Sequence, residues 1–159
     1  MNKRLLVSKI IDRLSNDLEI IFSAAKSAHE ASTNSENLPD NKYDTLALEA
    51  SYVAQGQANR AAELRGSIEI YRQLQVHEVK VGAIRLASFV ILSDEDGVEK
   101  NLFIGPAEGG LKIEFMGEEV IVITPASPMG RELLGKNCGD VIEIETTSSP
   151  VEYEIVEIR

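Results

Sequence analysis

The chain has 159 residues, a formal charge of -10, no tryptophan and 5% aromatic residues. That charge excludes general binding to duplex nucleic acid, which needs many Lys and Arg to release counterions, and the scarcity of aromatics predicts a modest core built partly from Ala and Leu. A single cysteine, Cys138, excludes an internal disulfide and a paired-cysteine metal site. No run approaches the roughly 20 apolar residues of a membrane span, so a cytoplasmic chain with no membrane partner is expected.

The acidity is unevenly placed. Residues 1–76 carry 9 basic and 10 acidic side chains, whereas residues 77–159 carry 7 and 16. Together with a change of hydrophobic period near Val76, this predicts two domains, 1–76 and 77–159.

In the first domain, Val7, Ile11, Leu14, Leu18, Ile21, Ala25 and Ala28 recur at alternating spacings of four and three, the seam of a packed helix. A second seam follows at Ala47, Ala50, Ala54, Gln57, Ala61, Leu64, Ile68 and Tyr71. Folding back antiparallel sets small residues beside small and large beside large, which predicts a coiled-coil hairpin about 45 Å long at 1.5 Å per residue. Its Ala-rich end buries less area and should be the less stable one.

Between the seams lies Ser35-Glu36-Asn37-Leu38-Pro39-Asp40-Asn41-Lys42-Tyr43-Asp44. The preceding Ser, Thr and Asn residues weaken the first helix, Pro39 interrupts helical geometry at Leu38, and Asn37 is suited to cap the second helix. Asp40 and Asp44, four residues apart, are placed to face one way and share a divalent ion with Glu36 nearby. Acids also favour a helix start for electrostatic reasons alone. His29, in the last turn before this tip, reads as a solvated helix-end histidine sooner than as a proton shuttle, and His77 as a linker residue.

From His77 onward short β-type runs take over: 79–81, 84–92, 98–104, 111–115, 119–123, 141–145 and 151–158, separated by turns at Asp96-Gly97, Gly105-Pro106, Gly109-Gly110 and Ser149-Pro150. One helical piece interrupts them, with Ser127 as N-cap, Pro128 in the first turn and Gly135 at the end. The expectation is an α+β chain whose second domain is a small antiparallel sheet covered by one short helix. Cys138 lacks a neighbouring activator in sequence, and no nucleophile elbow, phosphate-cradling Gly loop or zinc pattern occurs.

The run Ile123-Thr124-Pro125-Ala126-Ser127-Pro128-Met129-Gly130-Arg131-Glu132-Leu133-Leu134-Gly135-Lys136, with Gly139-Asp140-Val141 and Tyr153-Glu154-Ile155, resembles the C-terminal signature of the Gre-type (GreA/GreB) bacterial transcription elongation factors. The resemblance implies a coiled-coil hairpin followed by an FKBP-like domain. It implies a monomeric accessory factor, not an enzyme, that docks on RNA polymerase through Ser127, Pro128 and Met129 and inserts the hairpin into the secondary channel. Nascent RNA and DNA are met only through the polymerase.

In that family the tip acids help hold a second Mg²⁺ in the polymerase's own active site, where backtracked RNA is cut by two-metal hydrolysis. The tip of the family reads acid, Leu, any residue, acid, Asn, against Asn37-Leu38-Pro39-Asp40-Asn41 here. Asp40 and Asn41 match, and Glu36 or Asp44 is the candidate for the missing acid. The alternatives are a non-cleaving secondary-channel regulator or competitor of Gre factors and, from another class, an FKBP-like prolyl isomerase or chaperone. Sparse aromatics argue against the last, which needs an aromatic-lined pocket and has only Phe89, Phe103, Phe115 and Tyr153 to build it.

Overall fold

A computed structural model describes residues 2–33, 43–76, 82–145 and 149–159, except for the side chains of residues 28–33 and 43–51. The elements run α1 (Lys3–Thr33), α2 (Tyr43–Gln73), β1 (Phe89–Asp94), β2 (Glu99–Ile104), β3 (Lys112–Phe115), β4 (Glu118–Ile123), α3 (Pro128–Leu133), β5 (Val141–Ile144) and β6 (Val151–Ile158). The chain is therefore α+β, a long helical hairpin followed by a sheet with one short helix. Two compact units emerge, Met1–Ile10 with Ile70–Arg159, and Ile11–Glu69.

The first helix starts at Asn2, whose side-chain oxygen accepts from the Leu5 N–H at 3.1 Å and so satisfies one of the unpaired donors of a helix start. Along α1, Val7 and Leu14 are buried, and Ile11, Leu18 and Ile21 half-buried. Exposure then sets in from Phe22 to Ser27. On α2, Ala61, Leu64, Ile68 and Tyr71 are buried, Gln57 is half-buried and residues 52–56 are exposed. This is the predicted taper: each helix loses its cover as its seam shrinks to alanine. Within the hairpin unit the Arg65 guanidinium lies over the Phe22 ring, 4.9 Å from its centre, one link between the two helices.

The six strands form one sheet in the order β3-β4-β2-β1-β6-β5. All neighbouring pairs are antiparallel except β2 with β4, which pair parallel from Asn101↔Val120 to Ile104↔Ile123. The sheet is thus mixed where an antiparallel one was expected. The first predicted run, 84–92, also becomes a strand only from Phe89. Before it the chain turns: the Ser88 N–H donates to the Arg85 carbonyl at 3.0 Å and Ala87 adopts a φ of 63°, which an extended strand does not allow.

Alternation along the strands builds two buried faces. One combines Val90, Leu92, Leu102, Ile104, Ile142, Tyr153 and Ile155 with Leu133 from α3 and Ile84. Phe103 and Val122, paired across β2 and β4, point the other way and are also fully buried. Each such side chain contributes about 1.5–3 kcal/mol on burial. The sheet-bearing unit also buries Leu6, Ile10 and Tyr71 from its helical segments.

Candidate functional site

The best-defined of the predicted sites is the turn between β4 and α3. Ser127 is the N-cap residue of α3, with extended backbone at φ -69° and ψ 155°. Its hydroxyl accepts from the Gly130 N–H at 3.0 Å and donates to the Thr124 carbonyl at 2.8 Å, while the Ser127 N–H donates to the same carbonyl at 3.0 Å. One serine therefore closes the turn in front of it and caps the helix behind it. Pro128 follows at the first helical position, where a missing N–H costs nothing.

Two residues not singled out from the sequence complete the turn. Arg131 reaches back from α3 and donates to the Ala126 carbonyl at 3.0 Å. Gly130 is buried, and a Cβ there would drive into the Thr124 carbonyl oxygen and come within 2.9 Å of its carbon. Spacing marks the Ser cap, but it does not reveal a long side chain folding back five residues. The small residue that close approach demands was visible as Gly130 without its reason.

The turn holds its partner-binding candidates at graded depth. Pro128 is exposed with Ala126, Ser127 is half-buried, and Met129 leans on the core beside Leu133. The helix ends as anticipated: Gly135 has a φ of 81°, and its N–H donates to Ile84 at 2.8 Å while the Ile84 N–H donates to Lys136 at 2.8 Å. Opposed hydrogen bonds thus fasten the C-terminal end of α3 to the segment that leads into β1. The two exposed residues of the turn, Ala126 and Pro128, are both apolar.

The tip residues stand differently. Glu36, Asp40 and the proposed cap Asn37 lie outside the described residues, as does His77. Asp44 falls in the first turn of α2, with its side chain outside the description, as is that of His29 in α1. Among the described residues no group of three His, Cys, Asp or Glu side chains converges to hold a metal ion. Cys138 is exposed and its thiol meets the Val156 carbonyl at 2.9 Å, a contact that offers no activating base. The four aromatic side chains considered for an isomerase pocket are 6% exposed or less and pack as core.

The sequence model described as "Transcription elongation factor, GreA/GreB, C-term" matches residues 79–159, a span that holds the whole sheet and the Ser127 turn. The chain belongs to the GreA/GreB family. As a member it is an accessory factor of transcription elongation and not an enzyme in its own right. It is similar to the transcription elongation factor GreA of Mesorhizobium japonicum, 29% identical over 125 residues that cover 77% of this chain and 73% of that one. It is similar also to the transcription inhibitor protein Gfh1 of Thermus aquaticus, 28% identical over 154 residues covering 95% and 90%. The crystal structure of Thermus aquaticus Gfh1 aligns with a TM-score of 0.42 at 27% identity, covering 93% of this chain and 92% of the other. Among the described residues of this GreA/GreB-family chain, no helix is long and apolar enough to cross a membrane.

Proposed function

We propose that this GreA/GreB-family chain binds RNA polymerase through the turn at Ser127, Pro128 and Met129, and inserts its hairpin into the secondary channel. The observation that carries the reading is the family match over residues 79–159, which includes this hydrogen-bonded turn with Pro128 exposed on it. The hairpin adds support, since Ile20, Phe22, Tyr52 and Val53 are 58%, 45%, 70% and 61% exposed, apolar surface that a free rod leaves in water.

Once inserted, the tip acts on the polymerase's own Mg²⁺-dependent chemistry, and the factor stimulates cleavage of backtracked RNA. Asp40 is the residue that carries the role, with Glu36 or Asp44 as its partner. Carboxylate oxygens are the donors Mg²⁺ prefers, and two of them leave its shell to be completed by the polymerase. The ion supplies charge stabilisation for the hydrolysis when it is bound. The chain's part is to position these two carboxylates at the end of its long helical hairpin.

A second reading is favoured by one observation. Asn37 stands where the resemblance calls for the first tip acid, and the chain is similar over 95% of its length to a protein named a transcription inhibitor. On that reading the factor occupies the channel without cleaving. Stalled elongation complexes separate the two. Shortening of backtracked RNA that is lost in Asp40→Ala with binding retained supports cleavage; binding with slowed elongation and no shortening supports the inhibitor. No binding to polymerase at all removes both.

A further inference from the structure

A concavity opens in the sheet-bearing unit, beside the segment that leads into β1. It encloses about 310 Å³ and is lined by Lys3 from α1, by Ile84, Arg85, Leu86 and Ser88, and by Arg159 after β6. In a chain of net charge -10, the described lining contributes three basic side chains and no Asp or Glu. That contrast is local, because residues 77–159 hold 7 basic against 16 acidic side chains in all.

We infer that this cavity binds a small phosphate-bearing molecule of about mononucleotide size. The volume lies at the lower end of the roughly 300–1,000 Å³ usual for small-molecule sites. It is too confined for a polyanion, which the overall charge repels in any case. Ile84 and Leu86 give it apolar wall, so the ligand has an apolar or aromatic part beside its phosphate.

The cations divide the work. The Arg159 guanidinium is bidentate to Glu157, both contacts at 2.6 Å, and Glu118 adds to the acidic field around it, so most of its charge is already matched. Lys3 is 5% exposed and already engaged within the protein. Arg85 is exposed, and its planar fork is the donor set suited to a phosphate. Its backbone is already fixed: the Arg85 N–H donates to the Ser88 hydroxyl at 3.1 Å and the Ala87 N–H to the Ile104 carbonyl at 2.8 Å. The backbone that carries the guanidinium is thus ordered before binding, and only the Arg85 side chain has to be fixed by the ligand.

Calorimetry of the full chain with AMP, adenosine and inorganic phosphate tests the assignment, independently of polymerase binding. AMP is expected to bind, phosphate to bind more weakly and adenosine not at all, with Arg85→Gln weakening AMP by about tenfold or more. NMR amide shifts of residues 84–88 in the unmodified chain should move with AMP, which locates the site without any substitution. Absence of AMP binding, equal affinity in Arg85→Gln, or shifts confined elsewhere each overturn the inference. Phosphate binding as tightly as AMP overturns the mononucleotide class.

Discussion

The Tyr71 hydroxyl, at the end of α2, donates a 2.8 Å hydrogen bond to the Ala107 carbonyl oxygen 36 residues further along the chain. Tyr71 is 1% exposed, so the bond is shielded from water. Gly105 lies against it: a Cβ there would collide with that hydroxyl and stand 2.8 Å from Val122 Cγ1. Tyr71→Phe should therefore cost about 1–2 kcal/mol by stranding the carbonyl. Gly105→Ala should cost about 1–3 kcal/mol by overpacking. Urea unfolding of both singles and the double tests the coupling, which predicts a double mutant less destabilised than the sum because phenylalanine removes the atom the new methyl strikes.

The same tyrosine predicts an alkaline limit. Burial raises its pKa well above the ordinary value of about 10, the Glu108 charge raises it further, and the bond to Ala107 lowers it in part. A raised folded pKa means that above about pH 10 the unfolded chain releases a proton the folded chain keeps. The stability is fully present below that pH and falls as pH rises toward the folded value. Thermal melts at stepped alkaline pH should show the gap between the parent chain and Tyr71→Phe narrowing above about pH 10; a constant gap contradicts the assignment.

At the acid end the Glu157–Arg159 pair sets the opposite sign. The hydrogen bond from Arg159 is the largest cause holding the Glu157 carboxyl below its ordinary value. Its contribution is present above the unfolded pKa and lost as pH falls through the lower folded one. Both side chains are 43% exposed, so solvent screening limits the pair to well under about 1 kcal/mol. Glu157→Gln should be nearly neutral at low pH and slightly destabilising at neutral pH, by urea midpoints.

Local chemistry was the legible part of this fold. The Ser127 cap, Pro128 and Gly135 each act within a turn of themselves, and the structure has them where spacing put them. The hairpin seam was legible for the same reason, in Leu14, Leu64, Ile68 and Tyr71. Leu6 and Ile10 were missed although both are fully buried. They lie one residue before seam positions Val7 and Ile11, on a neighbouring face of α1, and a single-seam pattern does not count a second buried face. The parallel β2–β4 pairing was equally hidden, because turn residues report on adjacent strands and this pair skips over β3. The Arg131 contact to Ala126 depends on a side-chain path that spacing does not encode.

The turn joining β3 and β4 offers a stabilising change. Met116 and Gly117 both have positive φ, 56° and 86°, the geometry of a two-residue hairpin turn whose twist matches its strands. Methionine is strained there and is 80% exposed, so it packs against little. Met116→Asn creates the Asn-Gly pair this turn favours and should stabilise by about 0.5–1 kcal/mol. A raised melting temperature with an unchanged urea m-value is the expected result.

The Ser127-Pro128 turn, the proposed docking surface, yields the sharpest separation of structure from function. Gly130→Ala drives a methyl into the Thr124 carbonyl and should cost about 1–3 kcal/mol or more, because backbone cannot move aside as a flexible side chain does. Ser127→Ala loses the cap and should cost about 1 kcal/mol. Arg131→Gln removes only an exposed reach to the Ala126 carbonyl, so its effect on melting should stay within about 0.5 kcal/mol. If that reach holds the Ser127-Pro128 turn in its docking shape, polymerase affinity should nevertheless fall by several-fold. Pro128→Ala, exposed on the same turn, should likewise weaken binding with little effect on melting. Equilibrium binding to purified polymerase, measured beside thermal melts of the same proteins, checks the pair: unchanged affinity in both Arg131→Gln and Pro128→Ala moves the docking surface away from this turn.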